Sequence, residues 1–416
     1  MRVYVKSKSG TWLMPTHAAK ARFLLKRGKA KVFQRTPFTI QLQYDSPEIV
    51  QPVTVGIDDG GIHVGVAAVA GEKVLYQEEI NLRTDIRGKM DTRRSYRSSR
   101  RNRNTRYRKP RFLNRVKNQV LAPSIKSKKD AIVRTVLKLP LPTPSLIRLE
   151  DAYFDFQAIE NPAISGNGYQ EGALLYEKNF KTATKTRDGH KCRVCKTEAN
   201  LQVHHLQPRS VGGTDKLSNL MTLCLECHRR HHQEGLRLPK QKSAFYVFAS
   251  HVQQGKQYLQ SELRKIAPLQ TTFGYITSHF RKKAGLDKSH VHDAVMIANR
   301  EARPLEEYLK TNCVESRKRS LHEATARKGR KEPNREAKRN AKNTFRLKGF
   351  QRWDTVKVFG QTGFISGFTG SNACRVVNIN GEYIQKPGKS YNNVNLSEVQ
   401  RLWTNQSRVS ALVRVA

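Results

Sequence analysis

A chain of 416 residues is long enough for two or more units, each with its own core. It carries 77 Lys and Arg against 34 Asp and Glu, a formal net charge of +43. That excess would repel itself in a compact state unless a polyanion neutralised it, so nucleic acid is the expected partner. The longest apolar run, VGVAAVA, is far too short for a membrane span, and no basic helix has a clean apolar face to lie on one. MRVYVKSKSG lacks the apolar stretch of a secretory signal. These features exclude a membrane partner and place the chain in the cytoplasm, where its cysteines are read as metal ligands before disulfides.

Residues 1–50 read as a small basic α/β module: a strand at Arg2–Val5, a turn at Trp12–Pro15, a helix from His17 to Arg27, and strands near Ala30–Val32 and Phe38–Tyr44. Composition leaves this module open between a structural cap and an RNA-binding element. Val53 to Ala70, VTVGIDDGGIHVGVAAVA, then reads as a hairpin turning at Gly60-Gly61, with Asp58 at the end of its first strand. An acidic turn alone usually only caps a chain reversal. Two further apolar segments, however, also meet acids. Ser145–Glu150 is a strand-like run ending in Glu150, and His290-Val-His-Asp293 leads into the helical pattern Ala294–Ala298. Three carboxylates on three elements, with His290 as a water-activating base, could hold two divalent cations, Mg2+ or Mn2+, for phosphodiester hydrolysis.

Between the first and second acids lies the most basic part of the chain. Residues 83–117 hold 15 Lys and Arg and only two acids, and Gly and Pro are absent from Lys89 to Lys109. A helix from Asn81 to Lys109 is expected, roughly 40 Å long at about 1.5 Å per residue. Its arginines, among them Arg93, Arg97, Arg100, Arg101, Arg103 and Arg106, fall on every face and are read as polyanion contacts. Pro140, Pro142 and Pro144 lead into the strand ending at Glu150, and 161–172 has a linker composition.

Residues 176–235 form a metal module. Cys192-Arg-Val-Cys195 and Cys224-Leu-Glu-Cys227, with 28 residues between the pairs, have the spacing of a structural zinc site. His228 and His232 are four apart and share one helix face, so with His204 they could hold a divalent cation. His205 is then free to deprotonate water, and Asn219 to hold the loop that bears the histidine pair. The competing reading makes these histidines extra zinc ligands or surface residues. Farther on, helices are expected over Ser243–Ile266 and Ile276–Lys283. The 317–346 stretch, with 12 Lys and Arg and three acids, reads as a linker or nucleic-acid arm, and short Gly-joined strands from 347 onward as a small β domain.

VHHLQPRSVGGTDKLSNLMTLCLECHRRHH resembles the HNH nuclease signature in its zinc-ribbon form. PTHAAKARFLLKRGKAKVFQRTPFTIQL, preceded by Leu13-Met14, resembles the N-terminal PLMP module of the IscB family, transposon-encoded RNA-guided DNA nucleases related to type II CRISPR effectors. The likeness runs on through GIDDG, the arginine-rich bridge with YRKPRF, LEDAYFDFQ, NPAISGNGYQEG and HVHDA. It implies an α/β multidomain chain whose RNase H-like (RuvC) mixed sheet is split by insertions, with an inserted zinc-ribbon HNH domain and a small β-rich C-terminal domain. It also implies that Asp58, Glu150, His290 and Asp293 are the RuvC-type catalytic set and that His205 is the HNH general base. The partners implied are a structured guide RNA, bound by the arginine helix, and double-stranded DNA with a short flanking motif, in a monomeric ribonucleoprotein. Expected boundaries are the PLMP-like module at 1–50, RuvC-like segments at 51–82, 116–160 and 241–312, the bridge helix at 83–115, linker plus HNH at 161–240, a basic arm at 313–346 and the flanking-motif domain at 347–416. Two other readings use the same residues: a protein-guided HNH endonuclease of homing or repair type, and a non-catalytic RNA-binding accessory of transposition.

Overall fold

The computed structural model describes residues 2–101, 121–151, 179–211, 213, 215, 217–239, 247–315, 345–405 and 407–414. The chain divides into two compact units, Met1–Ala152 with His251–Ala416, and Tyr153–Ser250.

The first unit is organised by the expected hairpin. Thr54–Asp58 and His63–Ala70 pair antiparallel, with Asp58 opposite Gly65, and Lys73–Asn81 continues the meander. Leu146–Glu150 lies parallel to Thr54–Asp58 on its free side, and Leu269–Thr272 parallel to Leu146–Glu150 beyond it. Three antiparallel strands continued by two parallel ones on the side of the first is the RNase H-like order. Glu307–Cys313 extends the opposite edge, parallel to Lys73–Asn81, and Arg408–Arg414 closes it antiparallel, making seven strands.

The central strands read as nearly continuous apolar runs because both faces are covered. Val55, Ile57, Val64, Val66 and Ala68 pack against Ile132 and Val136 of the Pro123–Leu137 helix and Leu259 and Leu263 of the Val247–Arg264 helix. On the other face Ala67, Val69 and Val74 meet Ala294, Val295 and Ala298 of the His290–Ala298 helix. That helix lies unusually close: a β-carbon on Gly56 would come 2.2 Å from the Ala294 carbonyl oxygen, and one on Gly65 1.7 Å from that of His290.

Three expectations are corrected. Trp12–Pro15 is no turn. Trp12–His17 is a strand paired with Arg2–Lys6, and the helix starts at Ala18. Pro15 is tolerated because this is an edge strand whose pairing is irregular between Val3 and Val5. The arginine-rich helix starts at Ile86 rather than Asn81, since the Lys73–Asn81 strand runs through Asn81 and ties it to Asn312. The C-terminal β segment does not hold together as one piece. Thr355–Val358, Gln361–Thr369, Ala373–Val377, Val394–Asn395 and Gln400–Trp403 make a five-stranded sheet around Val356, Ile365, Cys374 and Val376, but Arg408–Arg414 belongs to the seven-stranded sheet.

The second unit holds the helix Phe180–Arg187, capped reciprocally by Asn179 and Thr182, and a compact ββα element. Its strands Leu201–His205 and Leu220–Cys224 pair antiparallel, and Leu225–Glu234 follows as the helix. Of the arginines singled out above, Arg93 and Arg97 are exposed on the Ile86–Arg101 helix. The side chains of Arg100 and Arg101, all of Arg103 and Arg106, the 161–172 segment and most of the 317–346 arm lie outside the described residues.

Candidate active sites

In the seven-stranded sheet, Ile57 and Leu149 are neighbours across a parallel pair, so Asp58 and Glu150 end adjacent strands side by side. The His290–Ala298 helix, seated on Gly56 and Gly65, brings the other two residues to the same strand ends. His290 Nδ1 lies 2.5 Å from Asp58 Oδ2, and the His63 ring stacks on His290 with centroids 5.9 Å apart. Asp293, one turn along, forms an ion pair with the buried Arg281 at 2.7 Å. The structure therefore gathers all four residues expected of the set. Burial, with the Asp58 charge beside it, pushes the Glu150 carboxyl up to about 7. Burial and Asp58 also raise Asp293, while the hydrogen bond to Asp58 raises His290. Three carboxylates at one strand end, with Asp58 disfavouring charge on Glu150 and Asp293 and all three hard oxygen donors, fit a divalent cation of the Mg2+ or Mn2+ type. Asp58 is turned toward His290 and Asp293 toward Arg281, and the three carboxylates are not gathered within 4.8 Å of one another as the two metal-type clusters of the second unit are.

Sequence reasoning missed the residues that hold this site. Asp59 points away from it into a buried ion pair with Lys129, and Lys128 Nζ donates to the Gly61 carbonyl oxygen at 2.5 Å. Both lysines come from the Pro123–Leu137 helix, whose buried positions are Ile125, Lys128, Lys129, Ile132, Thr135 and Val136. A core-facing helical stripe interrupted by two lysines is a signal the sequence does carry. For Arg281 and His63 no local pattern marks them out.

The ββα element builds a second centre. Antiparallel pairing sets His204 opposite Met221, and the helix brings His228 and His232 over it. One ligand nitrogen from each of the three lies within 4.8 Å of the others. Burial first, and then the neighbouring imidazoles, lower His204 to about 4, and the same causes lower His228. These rings are thereby kept neutral, as metal ligands must be. His228 Nδ1 meets Gln202 Oε1 at 2.7 Å, which orients the ring from its far side. His205 points elsewhere: its Nε2 lies 2.8 Å from Asp215 Oδ1, which also accepts from Arg209 Nε at 2.9 Å. Asp215 was not singled out in the sequence. Asn219 clamps the segment after His205, accepting from Gln207 N at 2.9 Å and donating to Gln207 O at 3.0 Å.

Cys192, Cys195, Cys224 and Cys227 converge with all four Sγ atoms within 4.8 Å of one another. Burial opposes ionisation of Cys192, yet backbone donors at Cys195, Cys224 and Val194 outweigh it and bring that thiol down to about 6. Burial and the neighbouring sulfurs push Cys227 up to about 12. Four sulfurs this close, one easily ionised, suit a tetrahedral zinc ion with Zn–S bonds of about 2.3 Å.

The RRXRR protein family matches residues 3–172, and the HNH endonuclease family matches residues 192–234. Anaredoxin from Nostoc sp. strain PCC 7120 is 36% identical over 55 residues, 13% of this chain and 72% of that protein. Among solved structures, T. thermophilus RuvC in complex with Holliday junction substrate aligns at TM-score 0.24 and 10% identity, over 60% of this chain and 90% of that one. The Type II-C Cas9 enzyme from Actinomyces naeslundii aligns at TM-score 0.16 and 14% identity, over 45% of this chain and 33% of that one. Scores this low carry no weight beside the family matches and the site geometry. With an RRXRR region, an HNH domain carrying the histidine and cysteine clusters, and an RNase H-like sheet ending in carboxylates, the chain is an IscB-like nuclease, a phosphodiester hydrolase.

Proposed function

We propose that this chain is an RNA-guided endonuclease that cuts both strands of DNA, the HNH centre on the guide-paired strand and the RuvC-like centre on the displaced strand. The observation that carries this reading is the presence of two chemically different centres on two separate units of one chain, with an arginine-rich helix between the strands bearing Asp58 and Glu150. A guide would supply sequence specificity by pairing, leaving the protein to hold backbones and cut. The helix arginines, Arg93 and Arg97 among them, are assigned to the RNA, residues 313–346 to a further RNA contact and residues 347–403 to the motif flanking the target.

At the sheet site Asp58, Glu150 and Asp293 would hold the cations, and His290, braced by Asp58, takes the proton of the attacking water. At the HNH site His204, His228 and His232 would hold one cation. His205, fixed through Nε2 by Asp215, takes a water proton at its other ring nitrogen, and Asn219 keeps the loop in place. Divalent cations at these positions supply charge stabilisation for the phosphorane-like transition state. The four cysteines would hold zinc for folding rather than chemistry.

Sequencing RNA that co-purifies with the chain, then programming it against a matching plasmid, tests the reading. His205→Ala should cut only the displaced strand and Asp58→Ala only the guide-paired strand. A chain that cuts without RNA, or a single substitution that abolishes both nicks while target binding persists, counts against it.

A further inference from the structure

Two aromatic rings stand in water beside the sheet site. Phe273 is 51% and Tyr275 74% exposed, and their planes are 11° from parallel with centroids 6.1 Å apart. Neither packs into the fold, because the Gly274–Lys283 helix buries Thr277 and Arg281 instead. Their position is fixed by the sheet. Thr272 is the register partner of Glu150, so Phe273 is the next residue beyond that carboxylate. A β-carbon on the intervening Gly274 would come 2.9 Å from Glu150 Oε1. The rings therefore sit on either side of the glycine that abuts the Glu150 carboxylate. Along the same helix face, His279 and Lys282 follow Tyr275 at four and seven residues, both exposed. Seven residues carry the track about 10 Å along the helix axis.

We propose that Phe273 and Tyr275 form a stacking platform for the bases of single-stranded DNA held at Asp58, Glu150 and Asp293, with His279 and Lys282 following its phosphates. The proposal rests on the reading that these acids cut a displaced single strand. Parallel π faces beside cationic side chains are the chemistry of sequence-tolerant single-strand binding, since every base has a face to stack and every linkage a charge. Paired bases stack on each other and present only edges, so a duplex would leave both rings unused. Guide RNA offers the same faces, but the rings adjoin the carboxylates assigned to DNA, and that favours the DNA strand.

The test irradiates the full chain with single-stranded DNA carrying 5-iododeoxyuridine at successive positions and locates crosslinks by mass spectrometry. Crosslinks at Phe273 or Tyr275 are expected, and Phe273→Ala/Tyr275→Ala should lose them. Both positions are exposed, so the fold should survive, which thermal melting checks. In parallel, the double variant loaded with its guide should raise the KM for Asp58-dependent nicking of a matching target about tenfold per lost ring, while Phe273→Trp should keep it near the original. Crosslinks only at other residues, an unchanged KM, or crosslinks from these rings to co-purified RNA but never to DNA would overturn the platform. Should Asp58→Ala leave nicking unchanged, the strand assignment fails, and the crosslink alone decides the platform.

Discussion

A β-carbon at Gly65 would sit 1.7 Å from the His290 carbonyl oxygen, and the obstacle is backbone rather than a movable side chain. Gly65→Ala therefore has to push the His290–Ala298 helix off the sheet, carrying His290 and Asp293 away from Asp58. Expected results are loss of the Asp58-dependent nick by at least tenfold, retention of the His205-dependent nick, and a stability cost of about 1–3 kcal/mol, as for overpacking. Strand-resolved nicking assays and urea unfolding check this, and a variant with both nicks intact would show that the close approach does not set the site. The sequence shows why one half of this site was readable. Each of Asp58, Glu150 and Asp293 adjoins an apolar run, a pattern visible in one dimension. What Gly65 touches depends on strand register and on a helix more than two hundred residues away, and the pairing of Asp293 with Arg281 depends on a loop between two helices.

The ββα element was the most legible part of the chain because its chemistry is local. Two Cys-x-x-Cys pairs and a His-x-x-x-His spacing carry their geometry with them, and strand pairing needs only to bring His204 under the helix. Asp215 escaped notice because nothing in its spacing to His205 predicts a loop that folds back to 2.8 Å. Three of the four cysteines, Cys192, Cys224 and Cys227, also close the element's small core, together with Met221 and Leu223. Metal removal should therefore unfold this element rather than merely silence it. About one zinc per chain is expected, and a zinc chelator should abolish the HNH nick and open residues near Cys192 and Cys227 to protease. The seven-stranded sheet, with its own core, should keep its protection. Active, well-folded protein with no zinc by elemental analysis would refute the assignment.

At the scale of the whole molecule, the first unit is held by a strand that the sequence assigned elsewhere. Arg408–Arg414 alternates like any short C-terminal strand, and its partner Glu307–Cys313 lies across the basic arm and the five-stranded sheet, so only the assembled fold reveals the pairing. The join is anchored in the core: Arg408 Nη2 lies 2.5 Å from Oε1 of the fully buried Glu78, whose Oε2 accepts from the Tyr76 hydroxyl at 2.7 Å. Tyr4 from the N-terminal module packs edge-on against Tyr76 with centroids 6.0 Å apart and donates to Leu75 O. Two separated stretches of chain thus meet at one buried carboxylate, and a third packs on the tyrosine that donates to it. Removing one partner of a buried pair strands the other's charge, which costs more than the pair itself contributes. Arg408→Ala should destabilise the first unit by about 3–5 kcal/mol in urea unfolding. Arg408→Met combined with Glu78→Gln removes both charges, keeps an acceptor for Tyr76, and should recover most of that loss. A single variant that loses less than about 1 kcal/mol, or a double variant no better than the single, would mean that water reaches Glu78 and that the strand is held by its ladder alone.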